Sequence, residues 1–130
     1  MSVVQHWVNG AAFAGTSTRT APVYNPALGA VAREVALATT ADLDLAVAAA
    51  KAALPGWSST PVGKRQQIMF AFREQLNARK AELAAILTAE HGKVMADALG
   101  EIVRGLEVVE LACSVPLLMK GEYSEQVSTG

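Results

Sequence analysis

A chain of 130 residues has room for one hydrophobic core, burying somewhat over ~60% of its unfolded surface, and not for two. Its composition, 52% hydrophobic and 18% charged, is more apolar than an ordinary soluble domain, yet no apolar run approaches the ~20 residues of a membrane span. The surplus therefore points to faces meant for a partner surface, while a net charge of −1 excludes the basic stripe of a nucleic-acid binder. The opening MSVVQHWVNG lacks the basic and apolar regions of a secretory signal, and the single cysteine, Cys113, cannot form an internal disulfide. The expectation is a cytoplasmic protein that meets small molecules or other proteins and neither nucleic acid nor membrane.

Residues 1–38 read as two β-hairpins. Gln5 to Val8 leads into Asn9-Gly10, which suits a type I′ turn, and Ala11 to Phe13 returns. Pro22-Val23-Tyr24 then meets the turn Asn25-Pro26-Ala27-Leu28-Gly29, after which Val31, Arg33, Val35 and Leu37 alternate. Two hairpins are marginal without something to pack on.

From Thr39 the period changes to about 3.6, and residues 39–116 read as a three-helix region. Thr39 with Asp42 predicts an N-cap, and Leu43, Ala46, Val47, Ala50 and Leu54 share a face until Pro55-Gly56 stops the first helix. Trp57 then falls in a serine-rich linker, and Thr60-Pro61 opens the second helix. That helix would span ~45 Å to His91, with a bend near Asn77, and Gly92 caps it in the left-handed conformation. The third runs from about Val94 to Val115, before Pro116. Residues 117–130 lose periodicity and read as an irregular tail with no closing element, as though the chain were cut. The fold class expected is α+β, two N-terminal hairpins packed on three helices, self-associating through exposed apolar faces.

The stretch LTAEHGKVMADALGEI gathers Glu90, His91, Lys93, Asp97 and Glu101 within twelve positions. A helix-to-helix turn at Gly92 splits these residues across a bend, and one histidine with scattered carboxylates does not make a zinc site. A solvated joint with i,i+4 pairing of Lys93 and Asp97 is the expectation. Gly92-Lys93 lacks the earlier glycine and the following Ser or Thr of a phosphate loop. Cys113 lies in an apolar helix with no histidine near in sequence, which favours buried filler over a nucleophile. His6, on a strand between Val4 and Val8, reads as an ordinary surface residue.

Arg104 admits two readings. On a helical wheel Leu99, Ile102, Val103, Leu106, Val109 and Cys113 form the apolar face, and Arg104 points away from it beside Asp97, Val108 and Leu111. It is either held by Glu101 and Glu107 at i±3, or set at a cavity wall to take a carboxylate through two parallel hydrogen bonds. Gly100 and Gly105 lend the second reading support, since glycines inside a helix permit close approach of another element.

The strings WVNG, VYNPALGAVAREVALAT, AVAAAKAALPGWSSTPVGKR, AEHGK and RGLEVVELACSVPLLMKGEYSE resemble the N-terminal segment of the aldehyde dehydrogenase superfamily, over nearly the whole chain. The last string is most similar to the CoA-acylating branch, methylmalonate-semialdehyde dehydrogenase. The resemblance implies an enzyme that oxidises and decarboxylates a semialdehyde, with NAD taking hydride and CoA taking the acyl group in the full-length protein. It also implies that the catalytic cysteine, the oxyanion asparagine, the acid-base glutamate and the NAD-binding strands follow Gly130, so that this segment is inactive alone and binds no cofactor. One role carries over, because Arg104 in GEIVRGLE is similar in position to an arginine that recognises the substrate carboxylate in that branch. The alternatives are a non-acylating aldehyde dehydrogenase segment and a short, non-catalytic helical interaction protein.

Overall fold

A computed structural model describes residues 2–123 and 125. Five strands precede five helices: β1 (Val3–Val4), β2 (His6–Val8), β3 (Ala11–Phe13), β4 (Thr20–Asn25), β5 (Ala30–Ala36), α1 (Thr40–Ser59), α2 (Val62–Ala78), α3 (Lys80–His91), α4 (Met95–Cys113) and α5 (Val115–Leu118). The class is α+β, as expected.

Both hairpins form where the turn residues place them. Asn9 and Gly10 have φ of 53° and 77°, the left-handed pair a type I′ turn requires, and His6 pairs with Phe13, Trp7 with Ala12 and Val8 with Ala11. In the second hairpin Asn25 Oδ1 accepts from the Ala27 N–H at 2.9 Å, and the Gly29 N–H donates to the Asn25 carbonyl at 2.8 Å. What the alternation does not announce is β1, which joins β5 in parallel, Val3 opposite Glu34 and Val4 opposite Val35, to give a mixed sheet of order β1-β5-β4. Pro22 sits on β4, an edge strand, where a missing N–H costs no ladder bond.

The helical region departs from expectation at three joints. First, α1 does not stop at Pro55-Gly56 but runs through Trp57 to Ser59. Proline removes one intrahelical donor, and here hydroxyls take up the last-turn carbonyls: Ser58 donates to the Pro55 carbonyl at 3.1 Å, Ser59 and Thr60 to that of Gly56 at 3.0 and 2.9 Å. Thr60 is thereby committed to the end of α1 and does not cap α2. Second, the long middle helix breaks at Arg79 (φ −104°, ψ 13°), two residues past Asn77, and Arg79 turns its guanidinium to Glu82 at 2.7 Å in the first turn of α3. Third, α4 ends at Cys113, and Pro116 stands early in the one-turn α5, where its ring is tolerated. Part of the irregular tail read from residue 117 lies outside the described residues; α5 takes its first two positions.

Packing is concentrated between α3 and α4 and between α2 and α4. Ala84 of α3 and Ala98 of α4 are both 0% exposed, and small side chains there let the two helices approach closely. Leu106 and Cys113 continue the buried stripe of α4, so Cys113 is the filler expected of it. Its carbonyl accepts from Gln66 Nε2 of α2 at 2.7 Å. By contrast α1 buries a single residue, the charged Asp42, and leaves Leu43, Val47 and Leu54 exposed. No helix is long and apolar enough to cross a membrane among the described residues.

Candidate functional site

The charged stretch around Gly92 is positioned by a glycine that no other residue replaces well. Gly92 adopts φ 81° and its N–H caps α3 through the Thr88 carbonyl at 2.8 Å, while a Cβ there would lie 3.0 Å from Pro26 Cγ. The end of α3 therefore seats directly on the β4–β5 turn. Arg33 of β5 reaches Glu90 at 3.5 Å beside it. This is a structural joint, and it divides the ionisable residues as the bend predicts: Glu90 faces β5, whereas Lys93 turns toward α4. Among the described residues no three of His, Cys, Asp and Glu converge as metal ligands would.

Beyond the joint, Asp97 lies in the first turn of α4, where its negative charge suits the helix dipole. Asp97, Gly100, Glu101 and Arg104 follow one another on the outward face, opposite the stripe of Ala98, Leu106 and Cys113. With Lys93 and Ala96 they line a cleft of about 330 Å³. The same outward face continues into Val108 and Leu111, 68% and 61% exposed, so a charged half of the helix gives way to an apolar half.

The pairing inside this cleft differs from the expectation. Lys93 does not bond Asp97 but donates to Glu101 Oε1, eight residues on, and it is only 17% exposed. That hydrogen bond from the ammonium holds the Glu101 carboxyl below the usual carboxylate range, with smaller contributions of the same sign from the charges of His91 and Arg104. Glu101 is thus occupied. Of the two readings open for Arg104, the one in which Glu101 and Glu107 hold it is not seen: Arg104 has no carboxylate oxygen within 4.0 Å among the described residues. Gly100 and Gly105 do not serve close packing, since a Cβ at either position meets nothing within 4 Å. Arg104 therefore offers its fork of donors to the cleft.

The enclosure of polar atoms at His6 and Arg65 escaped the sequence reading. His6, expected at the surface, has its Nε2 enclosed near Gly15 and Asp42, without a hydrogen-bond partner among the described residues. Asp42 itself, 4% exposed, accepts from the N–H of Thr16 at 3.0 Å and from the N–H and hydroxyl of Thr39, both at 2.8 Å. The backbone N–H of Thr39, with help from Thr16, holds the Asp42 carboxyl below its usual range. Arg65 Nε of α2 is enclosed beside a cavity of about 210 Å³ whose wall includes Trp57, Met69 and Met119. The alternation of β2 and the period of α2 register neither, because enclosure there depends on elements distant in sequence.

Residues 13–130 match the model of the aldehyde dehydrogenase family. The chain belongs to that family. Among its relatives are the malonate-semialdehyde dehydrogenases of Pseudomonas aeruginosa, 41% identical over 127 residues, and of Geobacillus kaustophilus, 43% identical over 127 residues. Each alignment takes in 98% of this chain, but 25% and 26% of the relative. A protein assigned as a methylmalonate-semialdehyde dehydrogenase from Sinorhizobium meliloti, solved in complex with NAD, superposes with a TM-score of 0.90 at 45% identity, over 100% of this chain and 26% of that one. This aldehyde dehydrogenase segment thus spans about a quarter of the length of the proteins it matches.

Proposed function

We propose that this chain is the N-terminal portion of a longer NAD-dependent, CoA-acylating malonate- or methylmalonate-semialdehyde dehydrogenase, and that Arg104 receives the substrate carboxylate. The observation that carries the reading is the guanidinium of Arg104 standing in a charged cleft with no carboxylate of the described residues within 4.0 Å of it. A planar guanidinium can hold a carboxylate through two parallel N–H donors, and a semialdehyde derived from a dicarboxylic acid presents that group at the end remote from its aldehyde. The names of the relatives, which are malonate-semialdehyde dehydrogenases, support the same substrate class.

The chemistry itself is assigned to the rest of the longer protein. NAD, named in the S. meliloti complex, would accept hydride there, and CoA enters through the similarity of the RGLEVVELACSVPLLMKGEYSE string alone. The described residues do not fit either group. Cys113 is buried in α4, and among the described residues no glycine-rich turn opens a helix toward a pyrophosphate. The part left to this segment is to orient an anionic substrate. The exposed apolar faces of α1 and the end of α4 are surfaces for the remainder of the fold and for a homo-oligomer in a cytoplasmic enzyme.

The test is Arg104→Leu in the full-length polypeptide, assayed on a carboxylated semialdehyde and on a neutral aldehyde of similar size. Loss of a charge-assisted contact predicts a fall of roughly 10- to 100-fold in kcat/KM on the carboxylated substrate, with the neutral one little changed. Equal effects on both substrates would remove Arg104 from recognition, and full activity of residues 1–130 alone would overturn the partial-chain reading.

A further inference from the structure

Glu101 precedes Arg104 by three residues, a spacing that puts both side chains on one helix face and makes them default partners. Left to itself, the carboxylate would occupy the guanidinium that a substrate has to find free. The structure pairs that carboxylate elsewhere. Lys93 belongs to the joint between α3 and α4, two residues before α4 begins, yet its ammonium reaches forward to Glu101 Oε1. To span eight residues its stem must run along the surface of α4, in keeping with its low exposure. The cleft thus holds two cations, Lys93 and Arg104, and two carboxylates, Asp97 and Glu101, but among the described residues these four make one ion pair.

We propose that Lys93 is a positioning residue for substrate selection: by holding the Glu101 carboxylate it keeps Arg104 available for the carboxylate of an incoming semialdehyde. The inference rests on the reading of Arg104 given above. It gives the lysine after the α3 cap a role that a simple solvated joint would not have. Its placement depends on Gly92, whose left-handed turn and close seat on Pro26 fix the direction in which the chain leaves α3.

Lys93→Met in the full-length enzyme frees Glu101 to pair with Arg104. Competition from an exposed pair of this kind predicts a rise of roughly three- to ten-fold in KM for a carboxylated semialdehyde, with kcat and the neutral-aldehyde reaction little changed. Lys93→Arg keeps the clamp and the KM. In the double variant Lys93→Met/Glu101→Gln the competitor is gone, and KM returns toward wild type; Glu101→Gln alone leaves KM at or below wild type. A double variant as impaired as Lys93→Met, or a raised KM in Glu101→Gln, overturns the proposal, as does equal impairment on neutral aldehydes. Arg104→Leu run in parallel separates the two readings. If it abolishes discrimination for the carboxylate while Lys93→Met leaves KM unmoved, only the role of Lys93 falls; if Arg104→Leu leaves discrimination intact, both fall.

Discussion

Helices α1 and α4 are almost the same length, 20 and 19 residues, and both are strongly apolar, but they behave as opposites in the fold. In α4 one side carries a stripe in which Ala98, Leu106 and Cys113 are buried, while Asp97, Glu101 and Arg104, and further on Val108 and Leu111, face outward. In α1 seven alanines are spread around the axis, the leucines face solvent, and the one buried residue is an aspartate at its cap. Apolar content alone does not bury a helix. What matters is its concentration on one side, because a neighbour can cover only one stripe. The site follows the same division: a helix gripped along one face can present fixed charges on the other, and α4 does so.

The sharpest way to break this comparison is in the buried stripe. Leu106→Ala removes a core side chain between packed helices and should cost about 2–4 kcal/mol, read as loss of amide protection along α4 and its neighbours. A cost below that of a surface substitution would mean that α4 is not gripped as described.

A smaller effect is expected at the start of α1, where the cap is its firmest anchor. Thr39→Ala removes the oxygen that accepts from the Asp42 N–H at 3.2 Å and should cost about 1 kcal/mol, confined to α1 protection. The same cap makes α1 acid-sensitive. The Asp42 carboxyl titrates lower in the fold than in the unfolded chain, so its contribution is present above the unfolded carboxylate range and is lost as pH falls through the lowered folded value. Amide exchange in α1 should accelerate there ahead of α4, and Asp42→Asn should flatten that dependence.

The smallest effect belongs to the uncovered face of α1. Leu54, 60% exposed, should tolerate alanine within about 0.5 kcal/mol in this chain. In a longer polypeptide that covers this face the same change should cost more, and comparing the two contexts by thermal denaturation would locate the covering surface.

Much of the local architecture could be read from neighbouring residues. Asn9-Gly10, the Asn25 turn, the Thr39–Asp42 cap and the Gly92 terminus each depend on a few adjacent side chains, and each forms as the sequence implies. The buried stripe of α4 was legible in part: Leu106 and Cys113 are buried and Leu99, Ile102 and Val109 half-buried, but Val103 is exposed and the fully buried Ala98 was not among the residues expected there. The candidate site was legible only in part. Arg104 could be placed on the outward face, but its freedom from Glu101 could not, since nearest-neighbour spacing argues for the opposite pairing.

Sequence by itself thus determined the two hairpin turns, the Thr39 and Gly92 caps and the change of period from strand to helix, because these rest on φ preferences and hydrogen bonds within a few residues. Tertiary structure alone decided the parallel seat of β1 on β5, the enclosure of His6 and Arg65, and the partner of Lys93, whereas the continuation of α1 through Pro55 rests on local hydroxyl bonds that a proline-glycine stop signal does not reveal. Most of these depend on how segments far apart in the chain are brought together, and the others on side chains reaching past their nearest partners. Local propensity carries no information about either kind of contact until the packed α2, α3 and α4 layer and its joints fix the geometry.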